Sequence, residues 1–321
     1  MSTAHSPDWT EMILKDREPG AVWADIFSAL LEIVLKPTFM VAPYDAIFEP
    51  DRLLAEAAWE LWEVYPEQAL KTSDMLKAWT SQGIGKAVLI VDALSLREMP
   101  LILAAAKKRN ITPSQVKITG AESPTTTDQF VASLGAPLRA ALAHDGKPKG
   151  FALFGGNCRT DVFSLPFEDC PVPPELNLVL WHTWLDDLLH VHKKLPDAVA
   201  KAAASAFQSD GFWDFVNKLR QGRSLVITSD HGYAVSKLFS SEESDLDAVE
   251  ILRGAFGSSR YAKASSAWTR CFLPPLVAEH NQHHVLMGQR KWKVQGGFPH
   301  ICHGGLSLLE AAVPWMEFPA L

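Results

Sequence analysis

The chain of 321 residues reads as an α/β protein, a mostly parallel sheet flanked by helices and preceded by an N-terminal helical lobe. Three observations predict this. Short apolar runs at 87–91 and 225–228 end in polar or glycine-containing segments, as strands buried on both faces do. Stretches with apolar residues at helical spacing lie between such runs, so strand and helix alternate. Before residue 85 the pattern is helical alone, and it holds Trp9, Trp23, Trp59, Trp62 and Trp79. The expected division is therefore a helical lobe over 1–84 and an α/β domain over 85–321.

In the lobe, 21–35 and 51–65 carry the helical pattern, with Pro37, Pro43 and Pro50 as punctuation. The lobe shows no evident chemistry, and burial of its aromatics against the rest of the chain is the simpler expectation. The strand at 87–91 is followed by a helix over 97–109, with Pro100 in its first turn. A strand at 115–119 precedes a helical stretch over 127–142, in which Pro137 is a break or kink. Strands are expected at 150–155 and 176–180. A helix over 185–194 precedes one long helix over 198–219, with a stop signal at 220–222. The central strand is 225–228. The acid- and serine-rich stretch at 240–247 reads as a solvated loop. Strands at 284–287 and 291–294, joined by 288–290, read as a hairpin closed by Gly296 and Gly297. A short helix over 306–312 and a strand over 313–318 end the chain.

Bulk composition narrows the classes. Hydrophobic content of 47% and charged content of 21% belong to a globular protein. A net charge of −7 offers no bulk attraction to nucleic acid or an anionic membrane. The cysteines at 158, 170, 271 and 302 have no CxxC spacing, so neither a zinc ribbon nor a disulfide framework is expected. No signal-like leader is visible, and no apolar run reaches the ~20 residues a membrane span needs. The expectation is a cytoplasmic protein without a membrane partner.

Chemistry-bearing residues at strand ends would lie where ligands of open α/β sheets bind. The run 225–228 is followed by Ser229, Asp230, His231 and Gly232: a carboxylate and an imidazole side by side, which suit a divalent metal or an ordinary turn. Asp92 follows the run 87–91 and suits a ligand or a helix N-cap. Pro124, Thr125, Thr126 and Thr127 place a hydroxyl at a helix start, where it serves as an activated nucleophile or as an N-cap. Asp186 and His190 stand at i and i+4, on one face of a helix, able to grip one ion or to form a surface pair. His303 precedes Gly304 and Gly305, which let backbone approach a ligand closely. His300 and Cys302 lie nearby without such a context. His280, His283 and His284 lack a carboxylate partner and read as surface residues. Together these segments supply oxygen and nitrogen ligands for two adjacent metals. Such pairs, ~3.5–4 Å apart, stabilise both attacking and leaving oxygens of an in-line displacement, the chemistry of phosphoryl transfer.

The order of these motifs resembles the PglZ family of the alkaline phosphatase superfamily. The matching pieces are 88–92 ending in Asp92, Pro124 to Thr127, His182 to Asp186 with His190, Thr228 to Gly232, and His303 to Ser307 with Glu310, Val313 and Pro314. The stretch 288–297 is also similar, and the resemblance spans about residues 86–318. It implies an alkaline-phosphatase-like sheet and two divalent ions, zinc first and manganese second. One ion would be held by Asp92, Thr127, Asp230 and His231, the other by Asp186, His190 and His303. Thr127 would be the nucleophile, forming a phosphothreonine that water at the second ion hydrolyses; Thr125 and Thr126 remain alternatives. Leu189 stands where such proteins often have glycine, a departure that bears on helix geometry. The implied activity is a phosphodiesterase acting on nucleotide or nucleic-acid diesters in bacterial antiphage defence or signalling. The alternative is an assembly subunit of a BREX-like defence complex, with protein partners and little or no catalysis. A sulfatase is disfavoured because position 127 is threonine and not cysteine or serine.

Overall fold

A computed structural model describes residues 7–15, 17–238, 246–264, 273–295 and 297–321. Six helices come first: α1 (Trp9–Leu14), α2 (Pro19–Val34), α3 (Pro43–Glu56), α4 (Trp59–Glu63), α5 (Tyr65–Gln68) and α6 (Thr72–Thr80). Strand β1 (Lys86–Val91), helix α7 (Met99–Lys108), strand β2 (Gln115–Gly120) and helix α8 (Thr127–Ser133) follow. Next come β3 (Arg159–Phe163), β4 (Asn177–His182), α9 (Trp184–Val191), α10 (Pro196–Gln208), α11 (Asp210–Arg220) and β5 (Ser224–Thr228). Short elements fill the next stretch: β6 (Ala234–Val235), β7 (Lys237–Leu238), α12 (Leu246–Phe256), β8 (Tyr261–Lys263), β9 (Val277–His280), β10 (His283–Leu286), β11 (Arg290–Lys291) and β12 (Ile301–Cys302). Helix α13 (Leu308–Ala311) and strand β13 (Ala312–Phe318) close the chain.

The central sheet has the order β2-β13-β5-β1-β4-β3. Strands β5, β1, β4 and β3 run parallel, and β13 lies antiparallel between β2 and β5. Side chains alternate across a strand, so β1 serves both faces. Ala87, Leu89 and Val91 join one buried cluster, and Val88 and Ile90 join the other. This is why β1 is apolar throughout and not alternating. The fold is thus the mixed α/β class expected, with a mostly parallel sheet flanked by helices. The first cluster also contains Trp9, Trp23, Ile26, Leu30, Trp62 and Tyr65, so the N-terminal helices share a core with the sheet. Tyr65 adds polar ties, its hydroxyl donating to the carbonyls of Ala121 at 2.9 Å and Ala311 at 3.0 Å.

Several local expectations are corrected. No strand forms at 150–155: Phe154, Gly155 and Gly156 all have positive φ (55°, 57° and 81°), which bends the chain, and the strand is β3 instead. The helix expected over 127–142 stops at Ser133, because Gly135 turns left-handed (φ 80°) ahead of Pro137. The long helix over 198–219 is two helices: Ser209 leaves the helical region and accepts from the Phe212 N–H, capping α11. Helix α9 ends at Val191, and His192 is its C-terminal cap. The hairpin is displaced. Strand β10 pairs antiparallel with β9 across Asn281 and Gln282, both left-handed as a two-residue hairpin turn requires. The 288–290 segment instead gives the carbonyls of Gly288 and Arg290 to the Arg260 guanidinium, and β11 pairs parallel with β7. Of the expected loop 240–247, residues 246 and 247 open α12 and the others lie outside the described residues, as do Cys271 and Gly296. Among the described residues no helix is long and apolar enough to cross a membrane.

Candidate metal centre

Strand β1 sits between β4 and β5, so three adjacent parallel strands release their carboxyl ends side by side. Asp92 follows β1, Asp186 lies on α9 just after β4, and Asp230 and His231 follow β5. Thr127 begins α8 beyond β2. Its hydroxyl lies 2.7 Å from Asp230 Oδ2, 3.3 Å from Asp92 Oδ1 and 3.5 Å from His231 Nε2. The two threonines before it are otherwise engaged. Thr126 is the N-cap of α8, and the buried Thr125 hydroxyl donates to the Gly305 carbonyl and accepts from the Gly304 N–H, each at 2.9 Å.

A second group adjoins the first. Asp186 Oδ2 lies 3.3 Å from His190 Nε2, and Asp186 Oδ1 lies 3.8 Å from His303 Nε2. The i, i+4 spacing on α9 therefore does put both side chains on one face. The rings of His231 and His303 stack with centroids 4.6 Å apart. Two sets of three residues present ligand atoms within 4.8 Å of one another: Asp186, His190 and His303, and Asp92, Asp186 and His231. Asp186 belongs to both. All seven residues singled out in the sequence thus converge on one place.

The donor set fits divalent metal ions. His231 Nδ1 lies 3.0 Å from the Gly232 carbonyl, which can only accept, so Nδ1 carries the hydrogen and the Nε2 lone pair faces Asp92, Asp230 and the Thr127 hydroxyl. Asp186 Oδ1 and His303 Nδ1 are buried without a hydrogen-bond partner. Electrostatics agree. Burial first, and the Asp230 charge second, push Asp92 well above the carboxylate range. Burial opposes the charge on His231, but Asp230 and Asp92 outweigh it and raise its pKa. Burial, then the neighbouring His231, pulls His303 down to about 3. Asp186 resists burial through its His190 hydrogen bond and the nearby His303, and falls to about 2. Carboxylates crowded and buried in this way favour a cation among them. Asp92, Asp230 and His231 lie at the bottom, while Thr127 is half-buried and His190 exposed, so the site opens to solvent on that side.

Several contributors were not visible in the sequence. Trp181, on β4, donates from Nε1 to Asp92 Oδ2 at 2.9 Å, and the Arg139 guanidinium bonds the same oxygen. The Ala93 N–H donates to Asp230 Oδ1 at 3.1 Å, from a left-handed backbone (φ 60°) rare outside glycine. Arg139 falls just past the Pro137 break in a stretch read as helical and carried no signal; Trp181 could have been suspected, because a buried indole N–H needs an acceptor. His182 lies elsewhere, its Nε2 2.9 Å from the Leu165 carbonyl and its ring stacked on Phe167. Cys302 is buried with its thiol toward the Ala234 carbonyl, and His300 packs by Phe298. His280 and His284 are buried and not surface residues: the hairpin turns them inward, and His280 Nδ1 meets Ser123 Oγ at 2.6 Å. His283 is partly exposed.

No protein-family model matches this chain, and no curated protein matches it. Among solved structures it is similar to phosphonoacetate hydrolase from Sinorhizobium meliloti 1021 in complex with phosphonoformate, with 12% identity over 74% of this chain and 90% of that one, at a TM-score of 0.43. It is also similar to murine ectonucleotide pyrophosphatase/phosphodiesterase 5, with 12% identity over 73% of this chain and 88% of that one, at a TM-score of 0.43.

Proposed function

We propose that the protein is a metal-dependent phosphoester hydrolase, and within that class a phosphodiesterase with Thr127 as nucleophile. The observation that carries the reading is the Thr127 hydroxyl, 2.7 Å from the Asp230 carboxylate and set among two Asp/His groups able to hold divalent ions. Asp92, Asp230 and His231 would hold one ion beside Thr127, and Asp186, His190 and His303 the other. When bound, the ions supply charge stabilisation for the phosphoryl oxygens and lower the pKa of a coordinated hydroxyl or water. Mixed oxygen and nitrogen ligands suit zinc, with manganese a second choice.

The chain's own residues define the remaining roles. Asp230 Oδ2 orients the Thr127 hydroxyl; as Oγ1 bonds to phosphorus the bond to the ester oxygen opposite breaks, the hydroxyl proton passing by way of solvent to that departing oxygen, and water then cleaves the phosphothreonine to restore Thr127. Trp181 and Arg139 hold Asp92 through one oxygen, leaving Oδ1 turned toward Thr127 and His231. Among the three threonines, Thr127 is favoured because Thr125 and Thr126 are committed to loop and cap contacts. The motif order shared with the PglZ family supports a nucleotide or nucleic-acid diester as substrate. It also supports a setting in bacterial antiphage defence with protein partners.

The test combines elemental analysis with hydrolysis of bis-p-nitrophenyl phosphate and p-nitrophenyl phosphate, with and without chelator. The expected result is two equivalents of zinc or manganese and chelator-sensitive diester cleavage. Thr127→Ala should lower the rate by ~10³-fold or more while keeping the metal-loaded fold. Full activity in a metal-checked Thr127→Ala variant would overturn the nucleophile, and a metal-free, inactive, well-folded chain would overturn the hydrolase.

A further inference from the structure

Glu310 is tied at once to two of the segments that carry candidate metal ligands, the loop of His231 and the loop of His303. It lies on α13, is wholly buried, and its main-chain carbonyl accepts from the Gly232 N–H at 2.9 Å, one residue from His231. Its carboxylate reaches the other loop. Oε1 accepts from the Gly305 N–H at 3.0 Å, two residues from His303, and Oε2 accepts from the Ser307 hydroxyl at 2.5 Å. The buried Arg260 guanidinium pairs with both oxygens, Nε to Oε1 and NH2 to Oε2, each at 2.9 Å. Two further Arg260 donors go to the carbonyls of Gly288 and Arg290. The two loops also require glycine where they meet this strut. A Cβ on Gly232 would overlap the Leu309 carbonyl, and one on Gly305 would overlap the Arg260 guanidinium.

A buried ion pair is a weak source of net stability, since desolvation offsets much of its attraction. A bidentate pair does fix geometry, because both partners lose their freedom to reorient. We propose that Glu310 is a positioning residue that sets His303 against His231, and thereby the spacing of the two metal-holding groups. The inference rests on the metal-site reading above. Asp51 seats the same strut from the N-terminal helices: its Oδ1 accepts from the Leu308 N–H at 2.6 Å and its Oδ2 from the Gln289 side chain at 2.5 Å.

Glu310→Gln keeps the side-chain volume and the carbonyl bond to Gly232 but breaks the bidentate pair. The test is cobalt titration of metal-stripped wild-type and variant chains, followed by d–d absorption and chelator competition, with the melting temperature of each apo form. Wild type should bind two equivalents. The variant should retain one and bind the other ~10-fold or more weakly, as loss of a ligand's supporting contacts does, with the loss at the Asp186–His190–His303 group. Arg260→Lys should show the same split. Wild-type affinity at both groups in the variants overturns the positioning role alone. An equal loss at both, tracking a lowered apo melting temperature, marks a purely structural pair and overturns it too. A wild-type chain that binds no divalent ion removes the proposal together with the reading beneath it. Should both variants fail to fold, Ser307→Ala removes one donor to Oε2, leaves the ion pair, and should show a shift of ~3-fold at the same group.

Discussion

Single residues at the site are constrained by contacts that their types alone do not announce. Gly232 shows this best. Its neighbours Asp230 and His231 point into the site, while its own Cα lies against the Leu309 carbonyl with no room for a methyl group. Gly232→Ala must therefore push the loop off α13. Overpacking of this kind costs ~1–3 kcal/mol, and urea denaturation should register it, with metal affinity falling in parallel. An alanine variant as stable as wild type would show that the loop has slack. The three threonines make the same point: adjacent and chemically alike, they have three different partners, and only the folded chain distinguishes them.

Among whole elements, the departures from expectation lie where backbone conformation overrides side-chain pattern. The periodicity of 198–219 is continuous, yet Ser209 adopts an extended conformation and starts a new helix. Its cap bond to the Phe212 N–H should stabilise by ~1 kcal/mol, so Ser209→Ala should lose about that much by chemical denaturation, and Ser209→Asp should restore it. The reverse case is Gly254, exposed within α12, where an added Cβ would meet no other atom within 4 Å. Gly254→Ala should stabilise by up to ~1 kcal/mol, because alanine loses less backbone freedom on entering a helix. A destabilised alanine variant would mean that the position has a partner.

Across the molecule, burial of polar groups sets the response to pH. Burial holds His182 and His280 down to about 4, against an ordinary 6.5. The unfolded chain therefore takes up protons between about pH 6.5 and 4 that the folded chain refuses. The stability contributed by these neutral rings is fully present above about 6.5 and is lost as pH falls through that window. For His280 the shift corresponds to ~3 kcal/mol. His280→Gln should flatten the acid limb of a stability-versus-pH curve measured on the apo chain, and parallel curves for variant and wild type would refute this origin. The placement of His280 also links the N-terminal helices to the loop before the threonines, since α4 packs against β9.

The sequence by itself determined the α/β class and the central strands, and it offered Asp92, Asp186, His190, Asp230, His231, His303 and one of three threonines as site residues. The reason is that buried parallel strands demand continuous apolar runs, at whose ends Asp92, Asp230 and His231 stand out, while Asp186 and His190 share a helical spacing. Only the tertiary structure decided which threonine faces the carboxylates and which imidazoles turn inward. It also brought Trp181, Arg139, Arg260 and Asp51 to the site or its supports. These depend on contacts between segments far apart in the chain, such as Asp51 with Leu308 and Arg260 with Glu310, and no local pattern of hydrophobicity or spacing encodes such a distance.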